Sequence, residues 1–218
     1  MTTTALLIRH GHTDVLGRRL VGRLAGIPLS QDGRREVHGL QMALRAAPLH
    51  AIYSSPLERA LETAQPLAAA RRLVVQVRAD LNEIDFGDWT GLSFAELATL
   101  PAWQEFNNHR WTARVPQGES AADVQSRIVA ALDGLRTRHE EETFAVVSHA
   151  DVIRSAILRY TGASLNLFHT VQIDPASVTA VALSKTPRVL FVNSRGPFGW
   201  ATPSALATAG GTQDEAGP

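Results

Sequence analysis

Short apolar runs alternate with helix-patterned stretches along the first part of the chain. Residues 5–8 form an unbroken, partly β-branched run, which is typical of a buried strand. Residues 50–55 and 73–77 have the same character, and the stretches between these runs, residues 32–47 and 55–72, have helical patterning. Strands and helices that alternate in this order favour a parallel sheet with helical crossovers. The pattern therefore predicts an α/β fold.

Capping residues and prolines refine the two helices. Ser30 or Asp32 can cap the first helix, which we expect to end near Ala47. Pro56 lies near the first turn of the second helix, where a missing N–H costs nothing. Pro66 falls well inside that helix and predicts a kink or a break there.

The remainder of the chain adds an irregular segment, a further strand–helix unit and a run of strands. Residues 92–118 hold two tryptophans and Pro101, which predicts two short helices in an insertion folded over the sheet. A long amphipathic helix follows over residues 118–141, and residues 143–162 run from a strand directly into a helix. The three final candidate strands cover residues 168–174, 177–184 and 188–194.

The length of the chain and its terminal composition predict one domain. The chain has 218 residues, of which 44% are hydrophobic, enough for a single well-packed core. We expect the domain to cover residues 1–202, with the helical insertion at about 92–118. Residues 203–218 are rich in small residues and lack periodicity, which predicts a disordered tail.

Charge and cysteine content exclude several classes of function. Lys+Arg and Asp+Glu each number 21, so no basic field is available for nucleic acid or an anionic membrane surface. The chain has no cysteine, which excludes disulfides, thiolate metal sites and a cysteine nucleophile. No segment approaches the roughly 18 to 20 apolar residues of a membrane span, and the amino terminus does not resemble a signal peptide. We therefore expect a cytoplasmic protein.

Polar residues follow several of the predicted strands. Arg9 and His10 follow the first strand, Glu83 lies in the loop after the third, and His149 follows the strand that begins at residue 143. Arg59 lies in the first turns of the second helix. In a parallel sheet these groups can converge at one edge, where ligands of open α/β sheets bind. Two arginines and two histidines would form a local cationic pocket, for which phosphate is the expected ligand.

Five segments in order resemble the histidine phosphatase superfamily, the phosphoglycerate mutase-like enzymes. They are "LIRHGHTD", "YSSPLERALETA", "LNEIDFGDWTG", "PQGES" and "VVSHADVIR", and together they extend from residue 7 to residue 154. A single Arg-His-Gly would be weak evidence, whereas five ordered motifs are specific. The resemblance implies a three-layer α/β/α sandwich with a mostly parallel central sheet.

The resemblance also implies a role for each converging residue. His10 is the expected nucleophile, because a neutral imidazole nitrogen is available near pH 7. Arg9 and Arg59 are expected to grip the phosphoryl oxygens. Glu83 is expected to protonate the leaving oxygen and then to accept a proton from water. His149 is expected to carry a proton and to stabilise charge on the transferred group.

Other positions are less specific or depart from the family pattern. Thr13 is expected to touch phosphate and Arg23 to line the substrate mouth, with a turn residue and a solvated loop charge as the respective alternatives. Many members have Glu where this chain has His12 and Asn where it has Leu16, so we interpret His12 as a rim or packing residue. Leu16 cannot donate a hydrogen bond to phosphate. Asp151 stands where Gly is frequent, and it either caps its helix or orients a histidine, capping being favoured.

The implied reaction is hydrolysis of a small phosphate monoester through a phosphohistidine, without a metal or another cofactor. The histidines show no metal-ligand spacing such as His-Glu-x-x-His. The alternatives are a cofactor-dependent phosphoglycerate mutase and a catalytically weak member that binds a phosphorylated ligand. Mutases of this family tend to have a longer insertion between the acid and the second histidine, whereas only 66 positions separate Glu83 from His149 here. A shorter insertion over the site should admit water more readily, which favours hydrolysis. The expected partner is a small phosphorylated metabolite, and the final strands either complete the sheet or pair across a homodimer.

Overall fold

A six-stranded sheet organises the chain in a computed structural model, which describes residues 2–198. The predicted tail at residues 203–218 therefore lies outside the described residues. In chain order the strands are β1 (Thr3–Arg9), β2 (Leu49–Ser54), β3 (Val75–Val77), β4 (Thr143–Ser148), β5 (Val178–Leu183) and β6 (Arg188–Ser194). Their order across the sheet is β3-β2-β4-β1-β5-β6.

The strands that carry the predicted site are parallel neighbours. β1 pairs in parallel with β4, and β2 pairs in parallel with both β3 and β4. β5 is antiparallel to β1 and to β6, so the sheet is mixed but mostly parallel, as predicted. The register places Arg9 opposite Ser148, which brings the carboxyl ends of β1 and β4 side by side. Residues that follow these two strands therefore start from the same edge of the sheet.

Helices cover both faces of the sheet, which confirms the three-layer prediction. In chain order the helices are α1 (Gln31–Ala43), α2 (Glu58–Ala69), α3 (Phe94–Ala98), α4 (Pro101–Asn108), α5 (Ala121–Arg138) and α6 (Ala150–Thr161). One face of the sheet packs Leu6 and Ile8 against α1 and α2, and the other packs Leu7 and Phe144 against α5 and α6. No helix within residues 2–198 has the length and apolarity needed to cross a membrane.

Local signals determine most helix boundaries. Ser30 caps α1, and its hydroxyl accepts a hydrogen bond from the N–H of Gly33 at 3.0 Å. Of the kink or break predicted at Pro66, the break is wrong, because α2 continues to Ala69, and the kink stays a prediction. Pro66 removes one hydrogen bond close to the helix end, and the burial of apolar side chains such as Leu67 stabilises the last turn.

The helical segment above the sheet is anchored by aromatic residues. Pro101 opens α4 and separates it from α3, as the sequence predicted. The rings of Trp103 and Phe106 in α4 each lie 5.4 Å from that of Trp89, which belongs to a short 3-10 turn at Gly87–Trp89. These edge-on contacts fix α4 against the loop that also contains Glu83.

The candidate strand at residues 168–174 is wrong. Leu165–Thr170 form a 3-10 helix, and the residues that follow it belong to no strand. Phe168 is buried against Leu158 of α6 and Ala121 of α5, so its apolar surface packs on helices instead of in a sheet. The position beside β1 is filled by β5, which begins only at Val178.

Candidate active site

A cavity of about 180 Å³ lies at the carboxyl ends of β1 and β4. Two larger grooves, of about 590 and 430 Å³, are lined by other residues and contain none of the predicted site residues. Residues 2–198 contain no group of three or more histidine or carboxylate side chains that could hold a metal ion. Charged and polar side chains in the wall of the small cavity are Arg9, His10, Thr13, Arg19, Arg59, Glu83, Asp151 and Arg154. The structure thus brings four of the five predicted catalytic residues into one cavity wall.

His10 is buried at the end of β1 with a defined ring orientation. Its Nδ1 lies 2.7 Å from the carbonyl oxygen of Gly11, and because a carbonyl oxygen only accepts, Nδ1 carries the proton. Burial, followed by the charges of Arg59 and Arg9, lowers the pKa of His10 well below 6.5. The ring is therefore neutral at pH 7, and Nε2 carries the lone pair that a nucleophile needs.

Two arginines flank His10 with unsatisfied donors. Arg59 is only 1% exposed, and one nitrogen donates to the carbonyl of Gly22 at 2.7 Å. Its Nε and Nη1, like Nε of Arg9, have no hydrogen-bond partner among the residues that the structure describes. Arg9 also donates to the carbonyl of Ile173 at 2.6 Å. Burial lowers the pKa of both arginines, but guanidinium remains charged, so the cavity offers desolvated cationic donors to an anion.

Glu83 lines the same cavity as these cations and has a raised pKa. Its Oε1 accepts a hydrogen bond from the N–H of Ile84 at 2.9 Å, and its Oε2 is 4.0 Å from Nδ1 of His149. Burial raises the pKa of Glu83 to about 7, and the charge of Asp151 acts in the same direction. The carboxyl can therefore hold a proton near neutral pH and release it, as a general acid and base must.

His149 lies behind the cavity wall and is fully buried. Its Nε2 is 2.8 Å from the hydroxyl oxygen of Ser55, and its ring centre is 5.2 Å from that of His10. Burial, Arg59 and His10 lower the pKa of His149 well below 6.5. The ring is thus neutral in this environment, which disfavours the protonated state that the sequence led us to expect.

Of the two less specific candidates, Thr13 lines the cavity and Arg23 lies outside its wall. Thr13 is buried and lines the cavity, where a phosphate contact was expected. Arg23 lies beside the cavity and not in its wall: it donates to the backbone carbonyl of Glu83 at 2.8 Å and pairs with Asp85 and Glu119 at 3.4 and 2.9 Å. Its proposed contact with substrate stays a prediction, whereas its contact with the Glu83 loop is a structural fact.

Arg127 and Glu119, which we did not single out from the sequence, also hold the Glu83 loop. Arg127 of α5 donates to the backbone carbonyls of Asp80 and Glu83 at 2.9 and 3.1 Å and pairs with Glu119 at 2.9 Å. Glu119 in turn accepts from the N–H of Asp85 at 3.0 Å. The "PQGES" motif contains Glu119 and was the available signal for this network.

The two departures from the family pattern have distinct surroundings. His12 contacts the first part of α1. Its ring Nδ1 lies 2.9 Å from the hydroxyl oxygen of Ser30, and its backbone N–H donates to the Glu36 carboxylate at 2.8 Å. These contacts agree with the packing interpretation. Leu16 lines the cavity and is 37% exposed, so it adds apolar surface at the mouth.

Asp151 does not cap its helix, contrary to the favoured expectation. His149 occupies the N-cap position of α6, and Asp151 lies in the first turn. The Asp151 carboxylate accepts from Arg154 at 3.0 Å and lies 3.5 Å from Arg110. The sequence contained both arginines, but only the folded chain brings Arg110 to this carboxylate.

The fold and the cavity agree with comparisons with known proteins. The family model of the histidine phosphatase superfamily (branch 1) matches residues 5–193. The chain belongs to this superfamily, as the five sequence motifs predicted.

Relatives of this chain include proteins named as phosphatases. It is 31% identical over 193 residues to phosphoserine phosphatase 1 of Hydrogenobacter thermophilus, covering 85% of this chain and 89% of that protein. It is 34% identical over 182 residues to the bifunctional protein Rv2228c of Mycobacterium tuberculosis, covering 81% of this chain and 49% of that protein. The chain thus spans about half the length of the mycobacterial relatives that it matches.

Solved structures of similar proteins have the same fold. YhfR of Bacillus stearothermophilus superposes with a TM-score of 0.81 at 31% identity, covering 86% of this chain and 95% of that chain. A phosphoserine phosphatase mutant of Entamoeba histolytica, in complex with phosphoserine, also gives a TM-score of 0.81, at 28% identity, covering 89% and 98%. These similarities confirm the predicted phosphoglycerate mutase-like architecture.

Proposed function

We propose that this protein is a phosphatase that hydrolyses small phosphate monoesters through a phosphohistidine on His10, without a metal. One observation carries the proposal: a buried, neutral His10 shares a cavity with a carboxyl of raised pKa and with two arginines, each with donors that have no partner within residues 2–198. A nucleophile, an anion clamp and a proton donor are the parts that phosphoryl transfer requires.

The first half-reaction transfers the phosphoryl group to the enzyme. Nε and Nη1 of Arg59 and Nε of Arg9 donate to the phosphoryl oxygens, and Nε2 of His10 attacks phosphorus. The bond from phosphorus to the ester oxygen breaks, and Glu83 gives its proton to that oxygen. Because the guanidinium groups are buried, water screens their charges less, and their attraction to the transferred phosphoryl group is stronger than it would be in solvent.

The second half-reaction returns the enzyme to its starting state. The Glu83 carboxylate accepts a proton from a water molecule, whose oxygen attacks phosphorus as the bond to Nε2 of His10 breaks. Inorganic phosphate leaves, and Glu83 again holds the proton that the next cycle needs. A pKa of about 7 suits both steps, because neither the protonated nor the ionised form is costly near neutral pH.

The small cavity and the named relatives support a small phosphorylated metabolite as substrate. The cavity of about 180 Å³ accommodates a phosphoryl group and a compact leaving group. Relatives are named as phosphoserine and adenosylcobalamin/alpha-ribazole phosphatases, so phosphoserine and alpha-ribazole phosphate belong in a substrate panel.

The test is phosphate release from such a panel in EDTA, including 3-phosphoglycerate with and without 2,3-bisphosphoglycerate. We expect His10→Ala to lose at least about 10⁴-fold in kcat. His12→Ala, the matched control, removes a neighbouring histidine that lies against Ser30, and it should retain turnover. Acid-labile phosphate bound to the wild type and absent from His10→Ala would identify the intermediate.

Other results would replace the proposal. Isomerisation of phosphoglycerate without phosphate release would make the protein a mutase. Binding of phosphorylated ligands without turnover, unchanged in His10→Ala, would make it a binding member of the family.

A further inference from the structure

Asp151 and Glu83 are two carboxylates that line the same small cavity. Asp151 comes from the first turn of α6, two residues after His149, whereas Glu83 comes from the loop after β3. Both oxygens of Asp151 face arginines: Oδ1 accepts from Arg154 at 3.0 Å, and Oδ2 lies 3.5 Å from Arg110. The Asp151 carboxylate is therefore held in place from two sides.

Arg110 is a buried cation that pairs with Asp151. The Arg110 side chain is only 4% exposed, and its guanidinium lies 4.2 Å from the ring centres of both Phe106 and Phe168. One nitrogen donates to Asn107 at 2.8 Å. A buried cation between two aromatic faces needs a nearby anion, and the Asp151 carboxylate lies where it can supply one.

We propose that Asp151 is a positioning residue whose fixed negative charge keeps a proton on the Glu83 carboxyl until the leaving group departs. This inference rests on the proposed function, because it assigns Glu83 the role of general acid. A carboxyl that shares a small cavity with a second negative charge binds its proton more tightly, because like charges disfavour its ionised form. Arg110 and Arg154 hold the Asp151 carboxylate in the same cavity wall as Glu83.

Charges on several elements around Glu83 enter this balance. Arg59 of α2 and Arg127 of α5 favour the ionised carboxylate, whereas burial and Asp151 favour the protonated form. Arg9 of β1 and Arg110 after α4 also act on Glu83, and His149 lies 4.0 Å away as a neutral ring. The raised pKa of about 7 is the resultant of these effects.

Asp151→Asn separates the contribution of burial from that of charge, since it keeps the shape of the side chain. The measurement is a carbon-13 NMR titration of glutamate carboxyls in the folded protein, with Glu83→Gln identifying the resonance. We expect the midpoint of Glu83 to fall on the order of one unit in Asp151→Asn. Asp133→Asn, which removes an exposed charge on α5, should leave the midpoint unchanged.

An unchanged Glu83 midpoint in Asp151→Asn would overturn the inference. If that variant does not fold, Asp151→Gly makes the same test with the residue that is frequent at this position in the resembled family. Asp151→Glu, which keeps the charge, should retain most of the wild-type midpoint.

Turnover gives an independent readout. The alkaline limb of kcat/KM for an alkyl phosphate should move to lower pH in Asp151→Asn. The pH profile of kcat/KM for 4-nitrophenyl phosphate, whose leaving group needs little protonation, should move much less. Equal losses for both esters at every pH would show a merely structural role and overturn the inference. If the wild type hydrolyses neither ester, the proposed function fails, and the NMR titration still decides the role of Asp151.

Discussion

Arg59→Met is expected to make the protein more stable and almost inactive. Arg59 is 1% exposed, and Nε and Nη1 have no hydrogen-bond partner within the described part of the chain. Methionine has a similar length and no polar donor, so it can fill the same space without a desolvated charge. The substitution therefore separates the cost of holding the cation from its use in binding.

The magnitude of the stability change follows from the burial of Arg59. Burial lowers the pKa of Arg59 and outweighs the opposing charges of Glu83 and Glu58, and replacing a buried ion by an apolar residue of similar volume is often neutral or stabilising by about 1–4 kcal/mol. The middle of that range is a net gain in the free energy of unfolding of about 2 kcal/mol. For a domain of this size the gain corresponds to a rise in Tm of about 4–8 °C.

The loss of activity follows from the Nε and Nη1 donors of Arg59. Two charge-assisted hydrogen bonds to the phosphoryl oxygens are worth about 3–6 kcal/mol together. Their loss lowers kcat/KM by about 10²- to 10⁴-fold. The charge of Arg59 also lowers the pKa of His10, so the variant should protonate its nucleophile at a higher pH than the wild type does.

Thermal unfolding with and without inorganic phosphate, combined with kcat/KM, measures both effects. Phosphate should raise the Tm of the wild type and not that of Arg59→Met. The matched control is Arg71→Met: Arg71 donates to the carbonyls of Leu67 and Leu44, away from the cavity, so its loss should lower Tm and leave kcat/KM unchanged. A lower Tm for Arg59→Met, or a kcat/KM within tenfold of the wild type, would refute the reasoning.

Two further predictions test the acid and a tight contact. Wild-type kcat/KM for an alkyl phosphate should fall as pH rises through about 7, because Glu83 must be protonated. Glu83→Gln should lower kcat/KM by about 10²- to 10⁴-fold and remove that limb, and a persistent limb would contradict this assignment. Gly33→Ala places a Cβ 2.1 Å from the carbonyl oxygen of His12 and should lower the free energy of unfolding, measured in urea, by about 1–3 kcal/mol or more. The control Gly39→Ala meets nothing within 4 Å and should raise the free energy of unfolding by about 0.5–1 kcal/mol. Equal stabilities of the two variants would contradict the tight contact at Gly33.

The strands and helices could largely be predicted because their signals are local. The apolar runs of β1 and β4 and the cap at Ser30 depend on residues a few positions apart. The same holds for the placing of Arg9, His10 and His149 after parallel strands, since adjacent strand ends lie at one edge of the sheet. The candidate strand at residues 168–174 failed because an apolar run alone does not say whether it packs on helices or in a sheet.

The sequence by itself determined the α/β class, the family motifs and the residues at the strand ends. Only the tertiary structure decided that β5 runs antiparallel beside β1, that Arg110 reaches Asp151 and that Arg127 holds the Glu83 loop. It also decided the protonation of the site, because the raised pKa of Glu83 and the lowered pKa of His149 come from burial and from charges on distant segments. Desolvation and Coulomb interactions depend on distances between residues far apart in the chain, which no local pattern contains.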